Sequence, residues 1–245
     1  MLLFPGQELD EPRRTQHKAH FTKVMMLTAI GMPHQRPDGS YFDGKIGSRP
    51  VVEQVPARRN SINRPAGALE TKSISMTSAV YNGIWNKAGG IRDKIREKLY
   101  HLKTSGITIQ QDGAKAHTGH DSVNVINQYI QQGGWNSILV NQPAQSPDLN
   151  MLDLGLFHGM KSKADGIKGD GRNIDTCIQR KLQAFQEYSP RSIEIVWGVL
   201  FEVYRLILEE NGDNDYELPH SGVRHRGRVN AQYIDRRVNV PIPPI

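Results

Sequence analysis

Apolar and polar positions follow three rhythms along this chain, and each predicts an element. Phe21 to Ile30 is an almost unbroken apolar run of strand length, closed by turn formers between Pro33 and Gly39. Tyr41 to Ile46 surrounds Asp43-Gly44, a tight-turn signature, and Pro50 to Val55 is a weaker strand interrupted by Glu53 and Gln54. These pieces predict an antiparallel meander. Residues 77–87 and 91–102 show helical spacing, the second with Ile91, Ile95, Leu99 and Leu102 on one face and Lys94, Arg96 and Lys98 turned outward. Ile107 and Ile109 then alternate with polar neighbours, so 107–112 predicts a half-buried strand with Asp112 at its C-terminal, solvent-facing tip. Residues 122–131 predict a helix stopped by Gly133-Gly134, and the continuous apolar run from Ser137 to Asn141 predicts another strand. Trp135 between them reads as a packing residue rather than a base-stacking one. Helices are predicted over 175–188 and 192–211, the latter capped by Ser192, while residues 161–173 mix Lys, Gly and Asp and predict a flexible, exposed insertion.

The order strand, helix, strand, loop, helix places two carboxylates where they can meet. Asp112 ends one strand. Asp153 falls in the first turn of the helix that follows the proline-broken loop Gln142 to Asn150, with Asn150 placed to cap it. Carboxylates on a strand tip and a helix start suit Mg²⁺ or Mn²⁺, which prefer oxygen ligands and keep several waters. Two such ions clamping a phosphate support in-line phosphoryl transfer. His117 either approaches the scissile phosphate or serves as a capping residue, and Asp148 and Asn150 either support the site or satisfy local backbone donors.

Composition narrows the picture further. The 245 residues carry a net charge of +6 and a pI near 9.4, which suits a polyanionic partner. Residues 56–72 hold Arg58, Arg59, Arg64 and Lys72 with little apolar periodicity, a basic loop that either contacts a DNA backbone or is a solvated connection. Cys177 is the single cysteine, which excludes an internal disulfide and a zinc–cysteine cluster. Met1 to Phe4 is followed at once by Pro5 and Gly6, so it lacks the apolar length of a signal peptide, and no apolar run is long enough to span a membrane.

Three segments in register carry a family resemblance: Gln110-Gln-Asp112-Gly-Ala-Lys-Ala-His117, Gln145-Ser-Pro-Asp-Leu-Asn150 and Leu152-Asp-Leu-Gly-Leu-Phe157. They resemble the second and third acidic motifs of mariner-like transposases. Upstream, Lys23 to Leu27, Phe42 to Gly47 and Asn63 to Gly67 are similar to the plant and oomycete branch of that family. The resemblance implies an α/β fold, a ribonuclease H-like mixed sheet flanked by helices, over residues 21–211. A lead-in at 1–20 precedes it and a flexible basic, proline-rich tail at 212–245 follows. It also implies Asp112 and Asp153 as catalytic metal ligands for Mg²⁺ or Mn²⁺, DNA contacts at Arg58, Arg59, Arg64 and Lys115, a homodimer on transposon ends, and a nuclear location. Gly113, Ala116 and Met151 depart from the family, which usually has Asn, Pro and often Pro or Val there. The family's first catalytic aspartate lies on a strand upstream of the matched region, so the resemblance implies an amino-terminally truncated domain with unpaired sheet edges and impaired strand cleavage. The alternative is a non-catalytic DNA-binding or dimerising remnant.

Overall fold

The computed structural model describes residues 23–62, 64–119, 122–169, 173–213 and 216, so the lead-in and most of the tail lie outside the described residues. The fold is mixed α/β. Its strands are β1 (Met26–Ile30), β2 (His34–Gln35), β3 (Tyr41–Phe42), β4 (Lys45–Pro50), β5 (Val52–Pro56), β6 (Leu69–Ser73), β7 (Ile107–Gln111) and β8 (Ser137–Asn141). Its helices are α1 (Ser78–Asn86), α2 (Ile91–Lys98), α3 (Lys115–Thr118), α4 (Ser122–Gln131), α5 (Phe157–Gly166), α6 (Ile174–Gln186) and α7 (Pro190–Glu209). No described helix is long and apolar enough to cross a membrane.

The strands pair two by two rather than in one mixed sheet. β1 runs antiparallel to β4, β2 to β3 and β5 to β6, while β7 runs parallel to β8. β1 and β7 thus each lack a strand partner along one edge among the described residues. The expected meander is also corrected, because the partner of β1 is β4 and a small β2–β3 hairpin intervenes. The cause is the Asp43-Gly44 turn. Gly44 takes φ 83°, and its carbonyl accepts the Gly31 N–H at 2.8 Å. A Cβ there would lie 2.9 Å from the Gly31 carbonyl oxygen, so only glycine lets the chain cross between sheets at this point.

The single strand expected over 50–55 is divided at Val51, which is wholly buried and turns the chain from β4 into β5. The partner β6 lies inside the stretch expected to be a loop. Its sequence, Leu-Glu-Thr-Lys-Ser, packs neither face and so shows no apolar alternation.

Two hydrophobic clusters hold the body together. The first joins Phe42 with Tyr81 and Trp85 of α1, Ile91 and Ile95 of α2, Ile126 and Ile130 of α4, and Leu139 of β8. Leu27 and Ala29 of β1 and Ile107 and Ile109 of β7 pack against it. The second joins Met151, Leu156, Met160, Phe185, Ile193, Val196 and Leu200. Helices α1, α2, α4 and α5 supply stripes at four-residue spacing, such as Ile91 and Ile95 of α2 with Leu99 just beyond it. Part of the expected 161–173 insertion is therefore helix: Met160 and Ala164 are buried one turn apart, and the Arg180 guanidinium caps the Ala164 carbonyl at 2.6 Å. The last helix starts at Ser189-Pro190 rather than at Ser192, with proline at a first-turn position where its missing N–H costs nothing.

Candidate active site

The parallel β7–β8 pair builds one wall of an open hollow of about 530 Å³. Its register, Gln111 opposite Asn141, brings both strand ends to one level, so the residues that follow them face each other. Asp112 follows β7. The loop Gln142 to Pro147 follows β8, and it returns to the sheet where Gln110 Nε2 donates to the Leu149 carbonyl at 2.7 Å. The loop is drawn tight by the Gln142 side-chain amide, which donates to the Ser146 carbonyl, and by Gln145 in the left-handed region at φ 58°. Both Asp112 and Asp153 line the hollow, with Asn141, Asn150 and Ser146.

Asp153 sits where the chain enters α5 through one wide, π-type turn, Leu152–Leu156. Asn150 caps this turn as expected. Its Oδ1 accepts the Leu152 N–H at 3.0 Å, and its carbonyl accepts the N–H groups of Asp153 and Leu154, each at 3.0 Å. The Asn150 side-chain amide also donates to Asp153 Oδ2 at 2.8 Å. Asn150 therefore both starts the helix and orients the acid.

Asp112 is held from the opposite side. Its Oδ1 accepts the Ala114 N–H at 2.9 Å and lies 2.6 Å from His117 Nδ1. His117, on the short α3, is only 8% exposed and stacks on the Tyr81 ring at 4.1 Å between centroids. Tyr81 donates its hydroxyl to Gln111 Oε1 at 2.5 Å. The Gln111 amide in turn donates to the Asn141 side-chain oxygen at 2.7 Å and to the His117 carbonyl at 3.2 Å. Gln111 is buried and fully partnered, as a buried polar side chain must be. Tyr81 and Gln111 escaped the sequence reading, although a glutamine at the inward position of an Ile-x-Ile-x-Gln strand signals a buried polar network.

The two acids titrate in opposite directions. The contact with His117, then the Ala114 amide, hold Asp112 below the usual carboxylate range against the opposing effect of burial. Asp153 is pushed up, first by partial burial and then by the charge of Asp112. The second effect shows that the carboxylates feel each other across the hollow. Among the described residues no group of three or more His, Cys, Asp or Glu side chains is arranged around a metal position. A carboxylate whose ionisation is opposed by partial burial and by a second acid across the hollow nevertheless fits a hard divalent cation, which proteins commonly hold through one or two carboxylates and waters.

The other expected residues are dispersed. His117 is a buried support for Asp112 rather than a surface cap. Asp148 does not line the hollow and accepts a hydrogen bond from the Tyr216 hydroxyl. Lys115 is exposed on α3 beside the hollow's rim, and Arg58, Arg59 and Arg64 are exposed on the loop joining β5 to β6. No protein-family model matches the chain, and no curated protein or solved structure matches it.

Proposed function

We propose that this chain is the ribonuclease H-like catalytic domain of a mariner-like transposase, a nuclear protein acting on DNA through phosphoryl transfer. The observation that carries the reading is the meeting of Asp112 and Asp153 at one hollow, each on the element that the family motifs assign to it: a strand tip and a helix start. Asp112 and Asp153 would hold Mg²⁺ or Mn²⁺. When bound, the cation supplies charge neutralisation at a phosphate. The chain's own residues do the rest. His117 and the Ala114 amide fix Asp112 Oδ1. Asn150 fixes Asp153 Oδ2, and the β8 loop closes one side of the hollow. Basic residues Arg58, Arg59, Arg64 and Lys115 neutralise DNA phosphates.

The direct test is nicking of supercoiled plasmid by the purified chain in Mn²⁺. Nicking lost in Asp112→Asn and Asp153→Asn supports the reading, whereas nicking that survives both places the chemistry elsewhere. A second reading, a DNA-binding or dimerising protein that keeps the fold without the chemistry, is favoured by the absence of a third acidic ligand among the described residues. It predicts salt-dependent DNA binding, unchanged by Asp112→Asn, and no nicking.

A further inference from the structure

β5 and β6 form a two-stranded arm whose contact with the body is through α6 among the described residues. Of their ten residues none is buried, and the strands are exposed on both faces. The arm is anchored at mid-strand, where Thr71 Oγ1 donates to Asp175 Oδ1 of α6 at 2.6 Å. Its far end is built rather than loose. Ala57 is buried beneath the loop and exchanges backbone hydrogen bonds with Ala68 and Gly67, each at 2.8 Å, and Asn60 Oδ1 accepts the Ala66 N–H at 2.6 Å. A tight turn then closes between Ser61 and Arg64 through reciprocal backbone bonds of 2.8 and 3.2 Å.

At that turn sits Ile62, 104% exposed, where polar residues and glycine are the rule. Isolated surface apolar residues are ordinary. This one is set apart by its place beside the backbone-bonded Ser61–Arg64 pair and by its flanks. Between Pro56 and Leu69 there are three arginines and no acid. Arg64 is paired with Glu70, while Arg58 and Arg59 have no acidic partner among the described residues. A β-branched apolar tip beside two uncompensated guanidinium groups has the chemistry of a wedge that enters a base step from the minor groove while arginines hold the adjacent phosphates. We propose that Ile62 is such a wedge and that the arm unstacks duplex DNA on binding. The proposal rests on the reading of the chain as a DNA-binding protein and adds to it the mode of engagement.

The test uses the full chain and a mixed-sequence duplex carrying 2-aminopurine, whose fluorescence rises when its base is unstacked. The chain should raise the fluorescence. Ile62→Ser should abolish the rise and weaken binding about tenfold with an unchanged salt slope, and Ile62→Leu should restore both. Replacing Arg58 and Arg59 together by alanine should lower the salt slope by about 2. Because Ile62 packs against nothing, its variants fold like the parent. Binding with no fluorescence change, or with no effect of Ile62→Ser, overturns the wedge and leaves the DNA reading standing. An Ile62→Ser variant that sediments as a smaller species than the parent identifies the tip as a contact between copies and also overturns the wedge. No DNA binding at low salt overturns both.

Discussion

Replacing Asp153 by asparagine should raise the thermal midpoint in EDTA and lower it in Mn²⁺, a reversal that follows from the two facing carboxylates. Asparagine keeps the size of the side chain and an oxygen to accept the Asn150 amide, so what is removed is the charge. That charge is unfavourable in the folded state, because partial burial and Asp112 together raise the Asp153 pKa. A raised folded pKa means that stability declines as pH rises through the carboxylate range, so at neutral pH the ionised acid is a net cost. Both acids are well exposed, which keeps the effect to about 0.5 kcal/mol, or roughly 1–2 °C in a domain of this size. In Mn²⁺ the balance inverts. A cation present at about a hundred times its Kd adds about 2.7 kcal/mol to the protein that binds it, roughly 5–10 °C, and the variant should lose most of this gain. Differential scanning fluorimetry of both proteins in EDTA and in a Mn²⁺ series measures the four midpoints. The same rank order in both conditions would refute the argument that these acids share a cation.

His117→Ala should destabilise the fold by about 2–3 kcal/mol, seen as a lower urea midpoint, because it removes a buried ring stacked on Tyr81. The same change tests the pH dependence of Asp112. Its lowered folded pKa contributes stability that is present above the usual carboxylate value and lost as pH falls through the lowered one, so His117→Ala should flatten the acid limb of stability against pH. Gly90→Ala should prevent stable folding, because a Cβ there would lie 2.4 Å from the Ile84 carbonyl and 2.6 Å from that of Lys87, both rigid backbone. Gly83→Ala, exposed within α1 with nothing near the added methyl, should raise stability by about 0.5–1 kcal/mol in the same denaturation assay.

What could be read in advance follows a physical division. The strand before Asp112 and the helix from Ser122 to Gln131 were legible because one buried face imposes a period on neighbouring residues, and the strand from Ser137 to Asn141 because its apolar run has strand length. The Asn150 cap was legible because it is local chemistry. β6 was not, since none of its residues is buried and its strand partner among the described residues is reached across a loop. Tyr81 was legible as part of a helix but not as the ring beneath His117, a contact that tertiary folding alone creates. The start of the last helix is signalled by Ser189-Pro190, where proline fits the first turn, rather than by Ser192. The described strands form pairs rather than a single mixed sheet for another reason. Periodicity predicts that a strand exists and which face it buries, whereas partner choice depends on which edges are brought together in space.

The opposed titration of the two acids has a structural logic. Asp112 is fixed by a buried imidazole, a backbone amide and a strand tip, so it stays ionised and its position is set before any ligand arrives. Among the described residues Asp153 is held by Asn150, on a wide turn at the start of a helix, and its ionisation is opposed by partial burial and then by the acid across the hollow. Environments that push two carboxyl pKa values apart assign them unlike roles. On the proposed reading, the anchored acid would set where a cation sits, and the second would complete the site when the cation's charge offsets the repulsion. Such a site is weakest where Asp112 is least supported. Tyr81 and Gln111, which touch neither carboxylate through any described hydrogen bond, would therefore act on cation affinity through His117. Tyr81→Phe keeps the stacked ring but leaves Gln111 without its hydroxyl partner, so it should weaken Mn²⁺ binding less than His117→Ala does, a ranking that isothermal titration can reverse.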